Sequence, residues 1–500
     1  MAEVRYMKKI FCIVLVFALV LSFVSCNREE PPLEGSSPES SSSIPEESLP
    51  IPEETRPELD LSMDISDDEI TIVHWNEGAF SEFYVAEEDI EGNAVSAAVY
   101  ERNRKVEELL GVSLNFEHIS SESSSLGNWF NMWCDRLQNM MDYPPNEVDL
   151  FAVYSKGMAT ATIRGLNKDM SALNNIDLSK DWWPTYTEES SSVGGKIYYL
   201  TGEISPTAVS DMYTVFYNKD LLEGKNIADP AALVEGKEWT VDKLIELSSG
   251  MYDDIDGVDG KSEADRFGLT FSWYSAELIV KGAGFTVAEG GDREEPIKLS
   301  SDLDSTEFSD FINMLSQLCK TNDVYNDPTY MGYSSDAFVD GRAAFWVNVV
   351  SNAKYVKAED VNFGFLPMPL LDSAQGSYIT PLANSYSNYA IARSCDDDES
   401  AAAVLTALAY YGQTLVTPEV YELYFGDADD GAAEIFDLML KTMRSDVDMV
   451  FSNEIRNVRD EISIAIRDGK TFEEEFNDFD KKAVVRDLGV LNDKLAALNP

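Results

Sequence analysis

Strand-like and helix-like segments alternate regularly in the first part of the chain after residue 68. Apolar spacing predicts strands at 69–75, 112–118 and 147–154, with amphipathic helices at 95–110 and 126–141. Strands that alternate with helices form largely parallel sheets, and ligands bind in the loops beyond the strand ends. The pattern therefore predicts an α/β fold.

The stretch from Gly194 to Leu222 predicts two buried strands joined by a polar loop. The apolar run 197–200 and the aromatic run 212–217 flank residues 201–211, in which Pro206 excludes a central strand. We interpret this stretch as the point where the chain crosses between two lobes. The pattern alone equally allows a hairpin within a single domain.

Length and charge limit the architecture and the partners. A chain of 500 residues exceeds what one hydrophobic core usually supports, and its 44% hydrophobic residues suffice for two. The net charge of −52 opposes binding to a polyanion, so we predict no nucleic-acid partner. The same charge favours an uncharged or cationic ligand.

Cysteine usage indicates neither a disulfide framework nor a zinc site. Cys12 and Cys26 lie in the leader region, and Cys134, Cys319 and Cys395 are far apart in the sequence without a CxxC pair. We predict three free thiols, with one long-range disulfide as the alternative. The two histidines lie in strand-like segments, and we predict structural roles for both.

An acidic turn at residues 253–260 is similar to a calcium-binding loop. When the register starts at Asp254, Asp265 falls at the twelfth position, but Val258 occupies a position that needs a ligand. We therefore predict a solvated acidic turn and no metal site, with calcium as the alternative.

The N-terminus has the pattern of a secretion signal. Two lysines precede an apolar run from Ile10 to Leu21, which is shorter than a membrane-spanning helix. Phe23 to Cys26 resembles a bacterial lipobox, whose cysteine is lipidated. We predict a signal peptide at 1–25, a lipid anchor at Cys26 and a disordered Ser/Pro/Glu tether over 26–67. The alternative is a plain leader that releases a soluble protein.

Eight short blocks occur in a fixed order. They are IDLSKDWW at 176–183, GKIY at 195–198, LTG at 200–202, FYNKDL at 216–221, GKEWT at 236–240, DRFGL at 265–269, FVDGRAAF at 338–345 and NFGFLPMP at 362–369. In order and spacing they resemble the family 1, carbohydrate-type solute-binding lipoproteins of bacterial ABC importers. The resemblance runs from the leader to about residue 448.

This resemblance implies two α/β lobes, the periplasmic-binding-protein-like fold, with a hinge of crossing strands and a helical C-terminal tail. Lobe one is expected at 68–207 plus 366–412, and lobe two at 208–365 plus 413–500, with the tail capping lobe two. The resemblance further implies a monomer without cofactor on the extracellular face of the cell membrane. Such a protein captures a small solute, above all a sugar or oligosaccharide, for an ABC permease.

Aromatic residues at strand ends are the first candidates for sugar contacts, because sugars present apolar CH faces. Trp75 ends the first predicted strand, Trp273 lies in a turn after a predicted strand at 268–271, and Trp346 follows the 341–345 block, although core packing is at least as good an alternative for each. Trp129 and Trp133 are four residues apart on a predicted helix, which is core spacing.

Polar candidates lie in predicted loops or at strand ends near the crossing. They are Asn76, Glu77, Ser155, Glu203, Ser205, Asn348 and Asn384. Ser351 stands where the resembling proteins often carry an aromatic residue, which leaves an oligopeptide or a polyamine open as the ligand.

No enzyme motif is present: GxSxG, HExxH, Walker A and GxGxxG are all missing from the sequence. We therefore predict a non-enzyme. The alternatives are a secreted glycoside hydrolase with two carboxylates, and a surface sensor or adhesin domain without a permease.

Overall fold

The fold is given by a computed structural model that describes residues 59, 61, 69–75, 81–90, 92–120, 129–145, 147–327, 336–426, 428, 431–478 and 481–498. The predicted signal peptide, Cys26 and nearly all of the predicted tether lie outside these residues. Among the described residues, no helix combines the length and the apolar character that crossing a bilayer requires.

Fifteen strands are described. They are β1 Glu69–His74, β2 Ser113–His118, β3 Leu150–Tyr154, β4 Ser192–Val193, β5 Lys196–Ile197, β6 Tyr213–Asn218, β7 Phe267–Ser272, β8 Ala288–Gly290, β9 Ile297–Leu299, β10 Val324–Asp327, β11 Ala343–Val349, β12 Phe363–Leu366, β13 Thr380–Pro381, β14 Ser387–Ile391 and β15 Met443–Arg444.

The described α-helices fall between these strands and in the C-terminal part. They are α1 Ala94–Leu110, α2 Trp129–Asp142, α3 Ser155–Ile163, α4 Thr187–Ser191, α5 Pro206–Ser210, α6 Lys219–Gly224, α7 Ala232–Glu235, α8 Val241–Ser248, α9 Ala276–Gly282, α10 Thr306–Leu318, α11 Asp336–Val339, α12 Ala353–Ala358, α13 Asp398–Tyr411, α14 Thr417–Phe425, α15 Ala432–Lys441, α16 Val447–Val450, α17 Val458–Asp468, α18 Phe472–Asp478 and α19 Lys481–Ala497. A π-helical turn at Gly412–Val416 joins α13 to α14.

Lobe one is built on a four-stranded sheet in the order β14–β3–β1–β2. β1 pairs in parallel with β2 and β3, and β14 pairs antiparallel with β3. The carboxyl ends of the three parallel strands therefore meet at one edge. Three consecutive strands with the predicted alternation form this sheet, and the α/β prediction is confirmed.

Lobe two is built on a five-stranded sheet in the order β10–β7–β11–β6–β12. β10, β7 and β11 run parallel, while β6 and β12 run antiparallel to their neighbours. Every residue of the central strand β11 is buried, because helices or other chain segments cover both faces of the sheet. Its sequence is accordingly apolar almost throughout.

The chain crosses between the lobes where predicted, but residues 201–211 are not a polar loop. They contain α5, and residues 200–210 are all buried. Ser205 caps this helix, since its Oγ accepts a hydrogen bond from Ala208 N at 3.2 Å, and Pro206 takes the first helical position. Both residue types favour a helix start, a signal that the loop prediction overlooked.

The chain returns to lobe one later than the predicted boundary at Leu366. Trp239 Nε1 donates to Pro367 O at 2.8 Å, and Tyr378 OH donates to Val234 O at 3.1 Å. These bonds hold residues 367–378 on lobe two. The return occurs near Leu382, which forms an antiparallel bridge with Met212.

The C-terminal tail differs from the prediction that it caps lobe two, because it packs against both lobes. α17 packs against α9 and α10 of lobe two, whereas α16 and α19 pack against α3 of lobe one. α19 also contacts β9 of lobe two. The tail therefore joins both lobes.

Cys134, Cys319 and Cys395 are free thiols, which confirms the prediction for these three residues. Burial raises the pKa of the Cys319 thiol to about 11. All three thiols are therefore protonated near neutral pH, since burial also raises the pKa of Cys134 and Cys395 to about 12.

Asn492 attaches α19 to lobe two, and its replacement by alanine should destabilise the fold. The side chain accepts from Ile297 N at 2.9 Å and donates to Ile297 O at 2.7 Å, all within the buried interior. Asn492→Ala leaves both backbone groups without a partner, so we expect the free energy of unfolding to fall by about 2–4 kcal/mol. Urea denaturation measures the change. The exposed neighbour variant Asp493→Ala should stay within about 0.5 kcal/mol of wild type.

Candidate ligand-binding cleft

The end of β3, the segment after β7 and the crossing meet at Asn384, which bonds to both Ser155 and Tyr274, and we take the space around this point as the candidate cleft. The described part of its rim comes from the ends of β1 and β3 in lobe one and of β7 in lobe two, together with residues 382–386 at the crossing. The segments that follow β1, β2 and β10 include residues 76–80, 121–128 and 328–335, which lie outside the described residues. Asn76 and Glu77 belong to the first of them.

Four half-buried aromatic rings form a cluster on the lobe-one side of the cleft. This aromatic cluster consists of Trp75, Trp129, Phe130 and Tyr154. The Trp75 ring stacks on Trp129 with centroids 6.0 Å apart and an interplanar angle of 16°, and Tyr154 meets Trp75 edge-on at 5.3 Å. Trp75 Nε1 donates to Ser387 Oγ at 2.9 Å, which fixes the ring at the end of β1. The cluster offers a flat apolar surface at a strand end.

Trp129 is therefore not the core residue that its helical spacing predicted. Trp133, four residues later, is 1% exposed and does belong to the core. Trp129 begins α2, and its ring remains half-buried against Trp75. Helical spacing identifies the shared face of the helix but not how deeply each end of that face is buried.

A chain of hydrogen bonds connects the two lobes through the crossing. Ser155 Oγ, at the start of α3, donates to Asn384 O at 2.6 Å. The Asn384 side chain donates through Nδ2 to Tyr274 OH of lobe two at 2.7 Å. Ser155 and Asn384, both predicted from sequence, thus lie together at the cleft, although Ser155 is fully buried.

Charged side chains from three parts of the chain meet beside the aromatic cluster. This charged cluster consists of Lys156 from lobe one, Glu277 from lobe two and Arg459 from the tail, with Glu454 and Asp460 adjacent. Arg459 Nε lies 2.9 Å from Glu277 Oε2, and both residues are more than 90% buried. The N–H does not point at that oxygen, so Glu277 Oε2 accepts no hydrogen bond from the described residues.

Burial dominates the ionisation of the charged cluster. It raises the pKa of Glu277 and of Glu454 to about 7, although Arg459 lowers the value for Glu277 and Lys156 lowers that for Glu454. Burial also lowers the pKa of Lys156, and the nearby Arg459 lowers it further. Lys156 has no carboxylate oxygen within 4 Å among the described residues. The cluster therefore presents both a cation and carboxylates whose hydrogen-bonding capacity is incompletely used.

Three of the predicted site residues lie away from the cleft. Trp346 is fully buried in the core of lobe two, where its ring stacks on Phe338 at 5.5 Å. Glu203 is buried in lobe one and accepts from Gln413 Nε2 at 2.9 Å, and Ser205 caps α5. The structure gives these three side chains packing, bonding and capping roles within the lobes.

Two further predicted residues lie at strand ends of lobe two. Trp273 follows β7 in a 3₁₀ turn, and its side chain lies outside what the structure describes. Asn348, near the end of β11, is 5% exposed, and its Oδ1 accepts from Val349 N and from Asn352 Nδ2, each at 2.8 Å. Asn348 therefore fixes the local backbone after β11.

The sequence prediction missed Lys156, Tyr274, Glu277 and Arg459. The first follows Ser155 directly, and Tyr274 and Glu277 follow β7, so the rule that ligands bind beyond strand ends points to all three. Arg459 comes from the tail, and no local pattern relates it to Glu277.

The acidic turn is held together by its own backbone. One oxygen each of Asp254, Asp256 and Asp265 lies within 4.8 Å of the others. Ser262 N and Ile255 N donate to the buried Asp265 carboxylate, at 2.9 and 3.1 Å, and lower its pKa. Hydrogen bonds within the turn therefore already stabilise this carboxylate.

Comparisons with known proteins show the fold. No protein-family model matches the chain, and no curated protein matches its sequence. Among solved structures, a cyclo/maltodextrin-binding protein complexed with maltotetraose aligns with a TM-score of 0.53 and 14% identity, covering 84% of this chain and 96% of its own. The maltose-binding periplasmic protein MalE from Listeria monocytogenes, in complex with maltose, aligns with a TM-score of 0.52 and 15% identity, covering 85% of this chain and 97% of its own. UspC from M. tuberculosis aligns with a TM-score of 0.51 and 14% identity, covering 85% of this chain and 100% of its own. The predicted two-lobe fold is confirmed.

Glu203 makes the stability of the protein depend on pH. Burial raises its pKa from 4.5 to about 7, so the folded state binds a proton that the unfolded state releases between these values. Stability should therefore fall as the pH rises from about 4.5 to about 7, with a contribution on the order of 3 kcal/mol. Glu203→Gln removes this contribution while keeping an acceptor for Gln413. Urea denaturation at pH 5 and pH 8 should show the variant gaining stability relative to wild type at pH 8; a difference independent of pH would contradict the assignment.

Proposed function

We propose that the chain is an extracellular solute-binding protein that captures a sugar or oligosaccharide between its two lobes and delivers it to an ABC permease. The observation that carries the proposal is the aromatic cluster beside the charged cluster, at the cleft of a fold shared with sugar-binding proteins. No catalytic role is proposed for the charged residues.

The chemistry of the two clusters suits a neutral polyhydroxy ligand. Aromatic faces pack against the CH groups of a sugar ring, and Trp75 and Tyr154 supply such faces. A hydroxyl both donates and accepts hydrogen bonds, so it can pair with Lys156 and with Glu277 alike. A cluster that contains both positively and negatively charged side chains therefore binds hydroxyls without requiring a net charge on the ligand.

Trp75→Ala tests the proposal. Isothermal titration of the wild-type protein with a panel of gluco-, xylo- and galacto-oligosaccharides should identify a binding solute. Loss of the stacking surface should weaken that binding by about tenfold or more. Tyr143→Ala is the matched control, because Tyr143 is 67% exposed on lobe one and belongs to neither cluster.

Three outcomes contradict the proposal. A panel without any binding solute removes its basis, and equal affinity of the Trp75 and Tyr143 variants removes the aromatic cluster from the site. Steady release of shorter oligosaccharides during incubation would indicate a glycoside hydrolase instead. Melting temperatures of both variants establish that each is folded when binding is measured.

We further propose that Cys26 is lipidated and anchors the protein to the outer face of the cell membrane. The lipobox resemblance of residues 23–26 and the following Ser/Pro/Glu segment support this proposal. Two acyl chains hold a protein firmly, since each buried CH₂ contributes about 0.8 kcal/mol. The anchor would keep the captured solute near a permease.

Cys26→Ala should abolish lipid attachment. Cells that produce the wild-type protein and are grown with radioactive palmitate should label it, whereas the variant should remain unlabelled and accumulate as precursor or in the medium. Solute affinity should be unchanged, because residue 26 precedes the first strand by more than 40 residues. Equal labelling of the two proteins, or a mature N-terminus at another residue, would contradict the assignment.

A further inference from the structure

We propose that the C-terminal residues 441–498, named here the brace, tie the two lobes together and keep the cleft nearly closed before any solute binds. This inference concerns the mechanics of the fold and goes beyond the proposed function. It rests on two separate places at which the brace contacts both lobes.

The first place lies beside the crossing, at the start of the brace. On the lobe-one side, Thr185 N donates to Lys441 O at 3.0 Å, and Tyr386 and Ser445 share a hydroxyl–hydroxyl hydrogen bond of 2.6 Å. Tyr386 and Ser445 are both buried. These residues fix the brace to lobe one immediately before β14.

Arg444 adds a charged contact to lobe one. Its guanidinium lies 5.3 Å from the centre of the Tyr186 ring, and its Nη2 lies 3.4 Å from Glu189 Oε1. The same guanidinium pairs with Asp446 at 2.9 Å, so one arginine joins lobe one to the next part of the brace.

Asp446 and Asp448 hold the same segment to lobe two. Lys281 Nζ lies 3.1 Å from Asp446 and 2.7 Å from Asp448, and all three side chains are at least 90% buried. Asp448 also accepts from Thr286 Oγ1 at 2.7 Å and from Val287 N at 3.1 Å. Removing one partner of a buried ion pair leaves an uncompensated buried charge, so this attachment resists separation.

The second place is α19, at the other end of the brace. Asn492 exchanges two hydrogen bonds with Ile297 of β9 in lobe two. Leu498, just after the helix, lies against Gly165 of lobe one, where a Cβ added to the glycine would come within 2.8 Å of Leu498 Cδ2. α19 thus contacts lobe two in its middle and lobe one at its end.

The hairpin formed by β8 and β9 adds a further contact between the two lobes. Gly194 N of lobe one donates to Pro296 O of lobe two at 3.0 Å. Gly290 of β8 packs on the backbone of Ser192 so closely that an added Cβ would lie 2.0 Å from its carbonyl oxygen. Backbone therefore meets backbone directly between the lobes.

Two attachments restrict opening more than one does. A single contact beside the hinge can act as a pivot, but rotation about it strains a second contact elsewhere. The described residues of both lobes from 69 onward correspondingly fall within a single compact unit. Opening the cleft requires the brace to release one lobe, which is unfavourable without compensation.

The double variant Arg444→Met/Leu498→Ala tests the brace, because it weakens both attachments to lobe one. The protein is measured without any solute, so the result does not depend on the proposed function. Small-angle X-ray scattering should give a larger radius of gyration for the double variant than for wild type. Hydrogen exchange of residues 269–277 at the end of β7, which contact neither substituted side chain, should become at least about tenfold faster, as a loss of about 1.4 kcal/mol produces.

The matched control is Arg456→Met/Val490→Ala, with the same chemical classes changed within the brace. Arg456 pairs with Asp487 of the brace itself at 2.7 Å, and Val490 is 53% exposed on α19. The control should keep the wild-type radius and exchange rates. Ser445→Ala, which removes one hydroxyl, provides a milder test if the double variant is unfolded by circular dichroism; it should accelerate exchange at the same residues. An unchanged radius in the folded double variant, or exchange accelerated equally throughout both lobes, would overturn the proposal.

Discussion

The architecture depends on how a buried chain crosses between two sheets without leaving its backbone groups unpaired. Met212 pairs with Leu382, and Leu200 with Tyr389, so the two crossing segments satisfy each other in antiparallel bridges. Asp211 completes the arrangement, because its carboxylate accepts from both the backbone N and the Oγ of Ser385. Burial raises the pKa of this carboxylate to about 6. The pairing fixes the relative position of the strand ends, and with it the geometry of the cleft.

Much of the fold could be predicted because it depends on local periodicity. Strands β1, β2 and β3 and their helices follow the alternation of apolar residues, and the crossing falls within the predicted stretch. The predicted bounds of individual elements were wrong where one residue pattern is compatible with two structures. Pro206 excluded a strand correctly, but with Ser205 before it the same residue starts a helix. The return to lobe one was placed too early because residues 367–378 bond to Trp239 and Val234, contacts that no local pattern encodes.

The candidate site was predictable only in part, for a physical reason. Strand ends identify Trp75, Ser155 and Asn384, since the end of a strand is marked in the sequence. Burial is not marked in the same way. Trp346 follows the 341–345 block in the sequence, yet it lies within β11, whose two faces are both covered. Arg459 is a site residue that the sequence did not predict, because only the tertiary packing of the tail brings it to Glu277.

Strand β14 comes late in the sequence, and it therefore determines the order in which the lobes can be completed when the chain folds from its N-terminus onward. All five strands of the lobe-two sheet lie between Tyr213 and Leu366, whereas the lobe-one sheet needs β14 at residues 387–391. Until those residues are free to pair, the apolar strand β3 has one edge with unpaired backbone groups. Such an edge can pair with another chain and favours aggregation. Lobe one therefore begins first along the chain but is completed last. The protein is most prone to aggregation before β14 has paired with β3.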